Sequence, residues 1–362
     1  MTEPKKQQSE LKKACVNCGA ELKYKPGTTT IVCEYCGYKE QIKASKTSYK
    51  ELELYAYLNE FGTQAHSEEI TVLHCKTCGA DQHVEENYKS LNCVYCGTPL
   101  IVEEGTKEQW ILPGAVLPFQ IDKKNAHQLF KKWVKGLWFA PNKLQKAALD
   151  PMYTKGLYLP YWTFDANLDA DYYGRRGDHY YVTETYRVNG KTQTRQVRKT
   201  RWRSVSGHVH GFIDDQLIGA SKLKSGRLPS KITNWNLTKL QPFNSEFLAG
   251  FVTEKYTISL DQGHLQSQQE MRYVAEGWAR RDIGGDVQEI HSLDMELSDE
   301  TFKHILLPAY ICAYQYNGKK YNFYVNAENG TISGNRPYSF WKIFFLVIAI
   351  LIVIGLFIYF KG

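Results

Sequence analysis

Cys15-Val16-Asn17-Cys18-Gly19, Cys33-Glu34-Tyr35-Cys36-Gly37, Cys75-Lys76-Thr77-Cys78-Gly79 and Cys93-Val94-Tyr95-Cys96-Gly97 are four copies of one pattern. They form two quartets with fourteen residues between the CxxC pairs of each, and the second quartet is the first displaced by sixty positions. Two residues between sulfurs let one tight turn present both thiolates to a single ion. A strand pair between the turns brings the second pair opposite, which is the ligand spacing of a tetrahedral structural zinc site. Glycine after each second cysteine permits the positive φ that curls backbone amides towards the sulfurs. The metal ligands expected are Cys15, Cys18, Cys33 and Cys36 for one zinc ion, and Cys75, Cys78, Cys93 and Cys96 for the other.

Disulfides are the competing reading of eight cysteines. The first thirteen residues are rich in Lys, Glu and Gln and contain no apolar run, so they do not read as a signal peptide directing the chain to an oxidising compartment. Four thiolates saturate zinc and leave no open position, so both ions are expected to be structural. Each ribbon is too short to bury a core of its own, and metal binding would supply its folding free energy. The ninth cysteine, Cys312, lies in the apolar run 305–316 and reads as a small buried side chain.

Ile343 to Phe360 is a run of eighteen residues with no charge. As a helix it would span roughly 27 Å, the thickness of a bilayer's hydrocarbon core. Trp341 and Tyr359 sit at its ends and Lys342 and Lys361 flank it, as expected of an interfacial belt. A buried soluble helix is the alternative. The reading taken is a single-pass, tail-anchored protein of the cell membrane. Its N-terminal domains would lie in the cytoplasm, in keeping with thiolate sites and with Arg336 and Lys342 on the domain side.

Between the ends, apolar residues near helical spacing make 47–61 a short helix linking the ribbons. From Trp110 onward the sequence is aromatic-rich and strand-like. Residues 123–137 and 262–281 are helix candidates, and 157–173 reads as a strand. Residues 178–188 and 192–205 alternate about Asn189-Gly190, a hairpin signal, and a second hairpin is centred on Asn317-Gly318. Leu159-Pro160-Tyr161-Trp162 and Leu307-Pro308-Ala309-Tyr310 echo one another and suggest two related halves. The expected fold class is α+β. Its parts are a disordered 1–14, a zinc ribbon over 15–42, a helical linker over 43–70, a second ribbon over 71–103, a mixed α+β domain over 110–337 and a transmembrane helix over 341–360.

The chain carries a formal net charge of +7. Nine basic residues between Tyr172 and Ser204 face only Asp178 and Glu184, so this segment alone holds an excess of seven. On a strand, Arg195, Lys199, Arg201 and Arg203 share one face with Trp202 opposite. With Arg198 they form a candidate phosphate-binding strip, for nucleic acid or anionic lipid headgroups. A solvated arm that blocks edge-to-edge pairing explains them equally well.

Other motifs are discounted. Gly190-Lys191-Thr192 lacks the upstream glycine of a P-loop, that position being Thr185, and its flanks are strands; Gly318-Lys319-Lys320 fails in the same way. His208-x-His210 has no carboxylate or cysteine nearby in sequence, and Glu289 with His291 is no better as a metal site. Asp165, Asp169 and Asp171 alternate along one strand, with Arg175, Arg176 and Asp178 close enough to compete with a cation. No GxSxG, HExxH or Cys/His nucleophile pattern is present, so no catalytic residue is expected.

The chain resembles a family of bacterial proteins with N-terminal zinc ribbons, a middle domain and a C-terminal membrane helix. The likeness is carried by the four knuckles, by Leu159-Pro160-Tyr161-Trp162-Thr163-Phe164, by Tyr172-x-Gly174-x-Arg176-Gly177 and by Leu306-Leu307-Pro308-Ala309-Tyr310. It continues from Gly318 through Tyr324-Val325-Asn326, Gly330 and Gly334 to Arg336-Pro337. Members are labelled as related to the primosomal replication-restart helicase or to transcription-factor-B-type zinc ribbons. Those labels rest on the knuckles; the chain has no P-loop, and about 225 residues is too few for paired helicase motors. The resemblance implies the architecture and leaves activity open. The functional expectation is a non-enzymatic adaptor holding a protein partner at the membrane, with nucleic-acid binding by the ribbons and the basic arm as the alternative.

Overall fold

The computed structural model describes residues 13–43, 51–59, 67–84, 90–95, 98–101, 104–141, 144, 154–188, 191–221, 230–316 and 319–361. Residues 1–12, and with them most of the N-terminus expected to be disordered, lie outside these, as do Cys96 and both hairpin dipeptides, Asn189-Gly190 and Asn317-Gly318. The side chain of Cys312 also lies outside the described residues.

In chain order the strands begin with β1 (Leu22–Tyr24), β2 (Thr30–Cys33) and β3 (Lys39–Gln41). These three form an antiparallel sheet of their own. Next come β4 (Leu52–Glu53), helix α1 (Leu54–Asn59), β5 (Ser67–His74), β6 (Asp81–Val84), β7 (Ser90–Asn92), β8 (Pro99–Ile101), β9 (Thr106–Ile111) and β10 (Ala115–Val116). Helix α2 (Lys123–Lys135) leads to the long strands β11 (Thr154–Val188) and β12 (Lys191–Gly219), followed by β13 (Gln241–Pro242) and β14 (Val252–Glu254). Helix α3 (Leu260–Ile283), strands β15 (Val287–Tyr316), β16 (Lys319–Asn326) and β17 (Ile332–Gly334), and helix α4 (Phe340–Lys361) complete the chain.

The fold is α+β, organised around one twelve-stranded sheet. Its centre is the antiparallel pair β11–β15, which runs from Thr154↔Cys312 to Gly177↔Val287. The two Leu-Pro motifs meet here, with Leu159 opposite Leu307. Between Leu157 and Ala166 every residue of β11 is buried, so both faces are covered. A bulge near Asp165 breaks the register. Beyond it Leu168, Ala170 and Tyr172 are buried while Asp169, Asp171 and Tyr173 are exposed. That half-covered stretch is where a period of two becomes visible in the sequence.

Helix α3 covers the inner face. Its buried stripe, Leu260, Gly263, Ser267, Met271, Ala275, Ala279 and Ile283, consists mostly of small residues. These let the helix approach closely: a Cβ at Gly263 would lie 2.7 Å from the Trp162 ring, and one at Gly211 of β12 would lie 2.7 Å from Trp278. Trp162 is fully buried and donates from Nε1 to Ile258 O at 2.9 Å. Substituting alanine for a side chain of this size in a core typically costs about 3–5 kcal/mol.

Three expectations are corrected. The linker over 43–70 is not simply helical: α1 spans only Leu54–Asn59, β4 pairs with Thr301 and Phe302 of β15, and β5 already starts at Ser67. Leu54 buries completely against the body, which explains why this piece is held to the sheet. The strand expected over 157–173 and the hairpin arm expected over 178–188 are one element, because the buried stretch conceals its alternation. The second ribbon is not a separate small sheet. β5 and β6 enter the main sheet through β14 and β9, and only β7–β8 stand apart.

Candidate metal centres

Three of the knuckles are built by the same two backbone bonds. Gly19 N donates to Cys15 O at 2.8 Å and Cys15 N to Ala20 O at 2.7 Å; Gly37 and Cys33, and Gly79 and Cys75, repeat the arrangement. The glycines sit at φ of +74°, +77° and +72°, where a β-carbon is disfavoured. In the fourth knuckle Cys93 N donates to Thr98 O at 2.8 Å.

These turns gather the sulfurs. In the first cluster the ligand atoms of Cys15, Cys18, Cys33 and Cys36 all lie within 4.8 Å of one another. Cys15 Sγ is 3.4 Å from Cys36 Sγ, and Cys18 Sγ is 3.5 Å from Cys33 Sγ. Tetrahedral zinc with bonds near 2.3 Å requires edges of about 3.8 Å, so the donor set fits. In the second cluster Cys75, Cys78 and Cys93 converge in the same way, with Cys78 Sγ 3.5 Å from Cys93 Sγ. Its expected fourth ligand, Cys96, lies outside the described residues.

Electrostatics divide the thiols of the first cluster. The Cys36 amide directed at Cys33 outweighs the cost of desolvation and, with that of Tyr35, lowers this thiol to about 7. The Tyr38 amide favours a thiolate at Cys36, but the neighbouring Cys15 thiol and desolvation push Cys36 up to about 12. A divalent ion among the four sulfurs reverses that balance, since coordination deprotonates thiols outright.

Both clusters are fastened to the body. Cys15 and Cys33 join Tyr24, Phe119, Tyr158, Phe247 and Leu306 in one core cluster. Tyr24 donates its hydroxyl to Thr28 O and Phe119 O, and its ring meets Phe247 edge-on at 5.4 Å. A cleft of ≈ 270 Å³ remains at this junction, lined by Lys13, Glu40 and Glu246 among others, and Lys13 pairs with both carboxylates across it. Cys75, Cys93, Val94 and Tyr95 pack with Leu157, Tyr161, Ile305 and Leu307. Beneath them the fully buried Glu254 accepts hydrogen bonds from Tyr95 and Ser221. Nearby, burial alone pushes His83 of β6 down to about 4.

The basic arm projects from the sheet. Past Gly177↔Val287, residues 178–188 and 191–201 pair only with each other among the described residues, an extension of about 35 Å. The register puts Arg195, Lys199, Arg201 and Arg203 on one face with Asp178, Tyr180 and Glu184; Arg198 faces the other way. The strip is less free than its composition suggests. Glu184 pairs with Arg195 and Lys199 at 3.2 Å, Arg203 lies 3.9 Å from Asp178, and Arg201 stands over the Tyr180 ring at 5.3 Å.

The discounted motifs also find partners, though not those expected. Lys303, not Arg175 or Arg176, neutralises Asp165, at 3.9 Å; it also pairs with Asp215 at 2.8 Å and Glu51 at 3.0 Å. Burial opposes the Lys303 charge, but these carboxylates raise its pKa above the ordinary value. Asp214 completes an acidic group with Asp165 and Asp215 that the sequence did not reveal, because β12 brings it from fifty residues away. His208 does have carboxylates beside it, contrary to expectation: Asp171 at 2.9 Å and Asp169 at 3.4 Å, cross-strand neighbours that raise its pKa. Glu289 is held by Arg175 at 2.5 Å, while the His291 ring lies 5.8 Å from that of Tyr173.

Helix α4 is long and apolar enough to cross a membrane, with a mean hydropathy of 3.2 over an 18-residue window and none of that window buried.

No family model matches the chain, and no solved structure does. It is 23% identical over 336 residues to YdjG, an uncharacterised protein of Bacillus subtilis (strain 168), with 91% of each chain covered.

Proposed function

We propose that the chain is a membrane-anchored, non-enzymatic zinc protein whose projecting arm holds a protein partner at the cytoplasmic face of the cell membrane. The observation that carries this reading is the arm itself: two strands leaving the sheet, with Tyr181 66% exposed in its inner half and Tyr186 also exposed near the far end. Exposed aromatic and arginine side chains on a preorganised β surface are what protein interfaces draw on. Both zinc sites are closed by thiolates and act as staples in this reading, in accord with the resemblance to tandem zinc-ribbon membrane proteins. Reduced thiolate ligands suit the cytoplasm. The span α4 raises the local concentration of whatever the arm holds.

The test is crosslinking and co-purification from membranes with the full chain and with a variant whose arm, 178–201, is replaced by a short turn. A partner recovered with the first and lost with the second supports the adaptor. No reproducible partner, or the same partners with both, counts against it. The four cations that share one arm face exceed its two carboxylates and keep nucleic acid as the second reading. Under that reading affinity falls steeply with salt, and replacing Arg195, Arg201 and Arg203 flattens the slope. Negligible DNA and RNA binding at low salt removes it.

A further inference from the structure

The turn after helix α2 meets the start of helix α4. Ser339 N donates to Phe139 O at 2.7 Å, and Lys342 Nζ donates to Trp138 O and Ala140 O, each at 2.9 Å. The turn that follows α2 is therefore tied to the point where α4 leaves the body. Trp138 in that turn is 69% exposed, close to the values for Phe340 and Trp341 at the foot of α4. A tryptophan so exposed to water on a turn forgoes a large apolar contact, whereas at a membrane interface its ring finds the amphipathic layer that suits it.

The helix leading into this turn is one-sided. Ala126, Phe130 and Val134 are buried, and Phe130 meets the Phe323 ring at 5.1 Å. The remaining surface carries Lys123, Lys124, Lys131, Lys132 and Lys135. None of the five has a carboxylate partner among the described residues. The helix dipole favours the two in the last turn, Lys132 and Lys135, and opposes Lys123 and Lys124 in the first.

We propose that the lysine face of α2, together with Trp138, lies against the anionic phospholipid headgroups of the bilayer that α4 enters. The body then leans on the membrane instead of hanging from a single span. This rests on the membrane reading of α4 and adds an orientation to it. The occupant follows from the sign of the charge and from continuity with α4 through the Lys342 tie. Lys131, Lys132 and Lys135 lie at the end of α2 nearest that tie. Lys123 and Lys124 are about 15 Å further along the axis, beyond one Debye length of roughly 8 Å, so the contribution is graded along the helix.

The test uses the intact chain in nanodiscs of phosphatidylcholine alone or mixed with phosphatidylglycerol. Lysines are footprinted with a water-soluble acetylating reagent and read by mass spectrometry. Labelling at Lys132 and Lys135 is expected to fall roughly five-fold with the anionic lipid, the effect of one basic side chain near such a surface. It falls less at Lys124, stays level at Lys25 and Lys39 on the first ribbon, and recovers in high salt. Equal labelling of Lys132 and Lys135 in the two compositions overturns the inference. A chain that does not travel with the discs removes both the membrane reading of α4 and this inference with it.

Discussion

The two cysteine clusters share their spacing and differ in what their strands join. The first stands on its own three-stranded sheet, β1–β3, and touches the body through side chains such as Tyr24 against Phe119 and Phe247 and through two backbone bonds, Tyr24 N to Ala249 O and Gly27 N to Phe119 O. The second gives β5 and β6 to the main sheet, where β6 pairs with β14 and β14 with β11. A repeated metal motif therefore does not imply a repeated mechanical role: one ribbon is an attachment and the other is part of the frame.

The largest expected effect separates them. Structural zinc in small domains contributes about 10 kcal/mol or more of folding free energy, comparable to the whole stability of a typical domain. Cys75→Ser is expected to abolish amide-exchange protection across β11 and β15 as well as in the ribbon. Cys15→Ser is expected to confine its losses to 13–43 and to the 243–251 segment it packs on. Equal loss in both variants would break the distinction.

Side-chain docking comes next. Tyr24→Ala removes a buried ring and its bonds to Thr28 O and Phe119 O, a cost of about 3 kcal/mol. The first ribbon should then be cut from the body by limited proteolysis while the main sheet stays intact.

Acid provides a third handle. His83, on β6 beside Trp110, is depressed to about 4 by burial. The unfolded chain binds its proton at the ordinary value near 6.5, so stability falls as pH drops through 6.5 and stops falling near 4. The full shift corresponds to at most about 3 kcal/mol. Exchange at β5 and β6 should rise across that window, and His83→Gln should flatten the slope at the expense of some stability at pH 7.

The smallest effect belongs to the arm. Its ion pairs are exposed and extend away from both clusters, so Arg195→Ala with Arg201→Ala should leave zinc content and melting temperature unchanged. A shift in either would mean that the arm supports the ribbons.

Local chemistry made the knuckles, the hairpins and helices α2 and α3 readable in the sequence. The CxxCG turns close within five residues, and the α2 and α3 stripes recur every three to four. The frame was not readable, because it depends on contacts far apart in the chain. Nothing near Val252 indicates that it will pair with Leu157, and nothing near Lys303 indicates that it will neutralise Asp165. The full length of β11 was concealed because its first half is buried on both faces and shows no alternation. Glu184 was visible in the arm, but only the register shows that one carboxylate serves two of its cations.

The central claim is that each cluster holds its own structural zinc ion. The most direct measurement is the zinc content of the purified, reduced chain and of Cys18→Ser and Cys78→Ser. Two ions per chain, falling to one in each variant, is the predicted result. No zinc in the wild-type chain, or cysteines recovered as disulfides from freshly lysed cells, would contradict it.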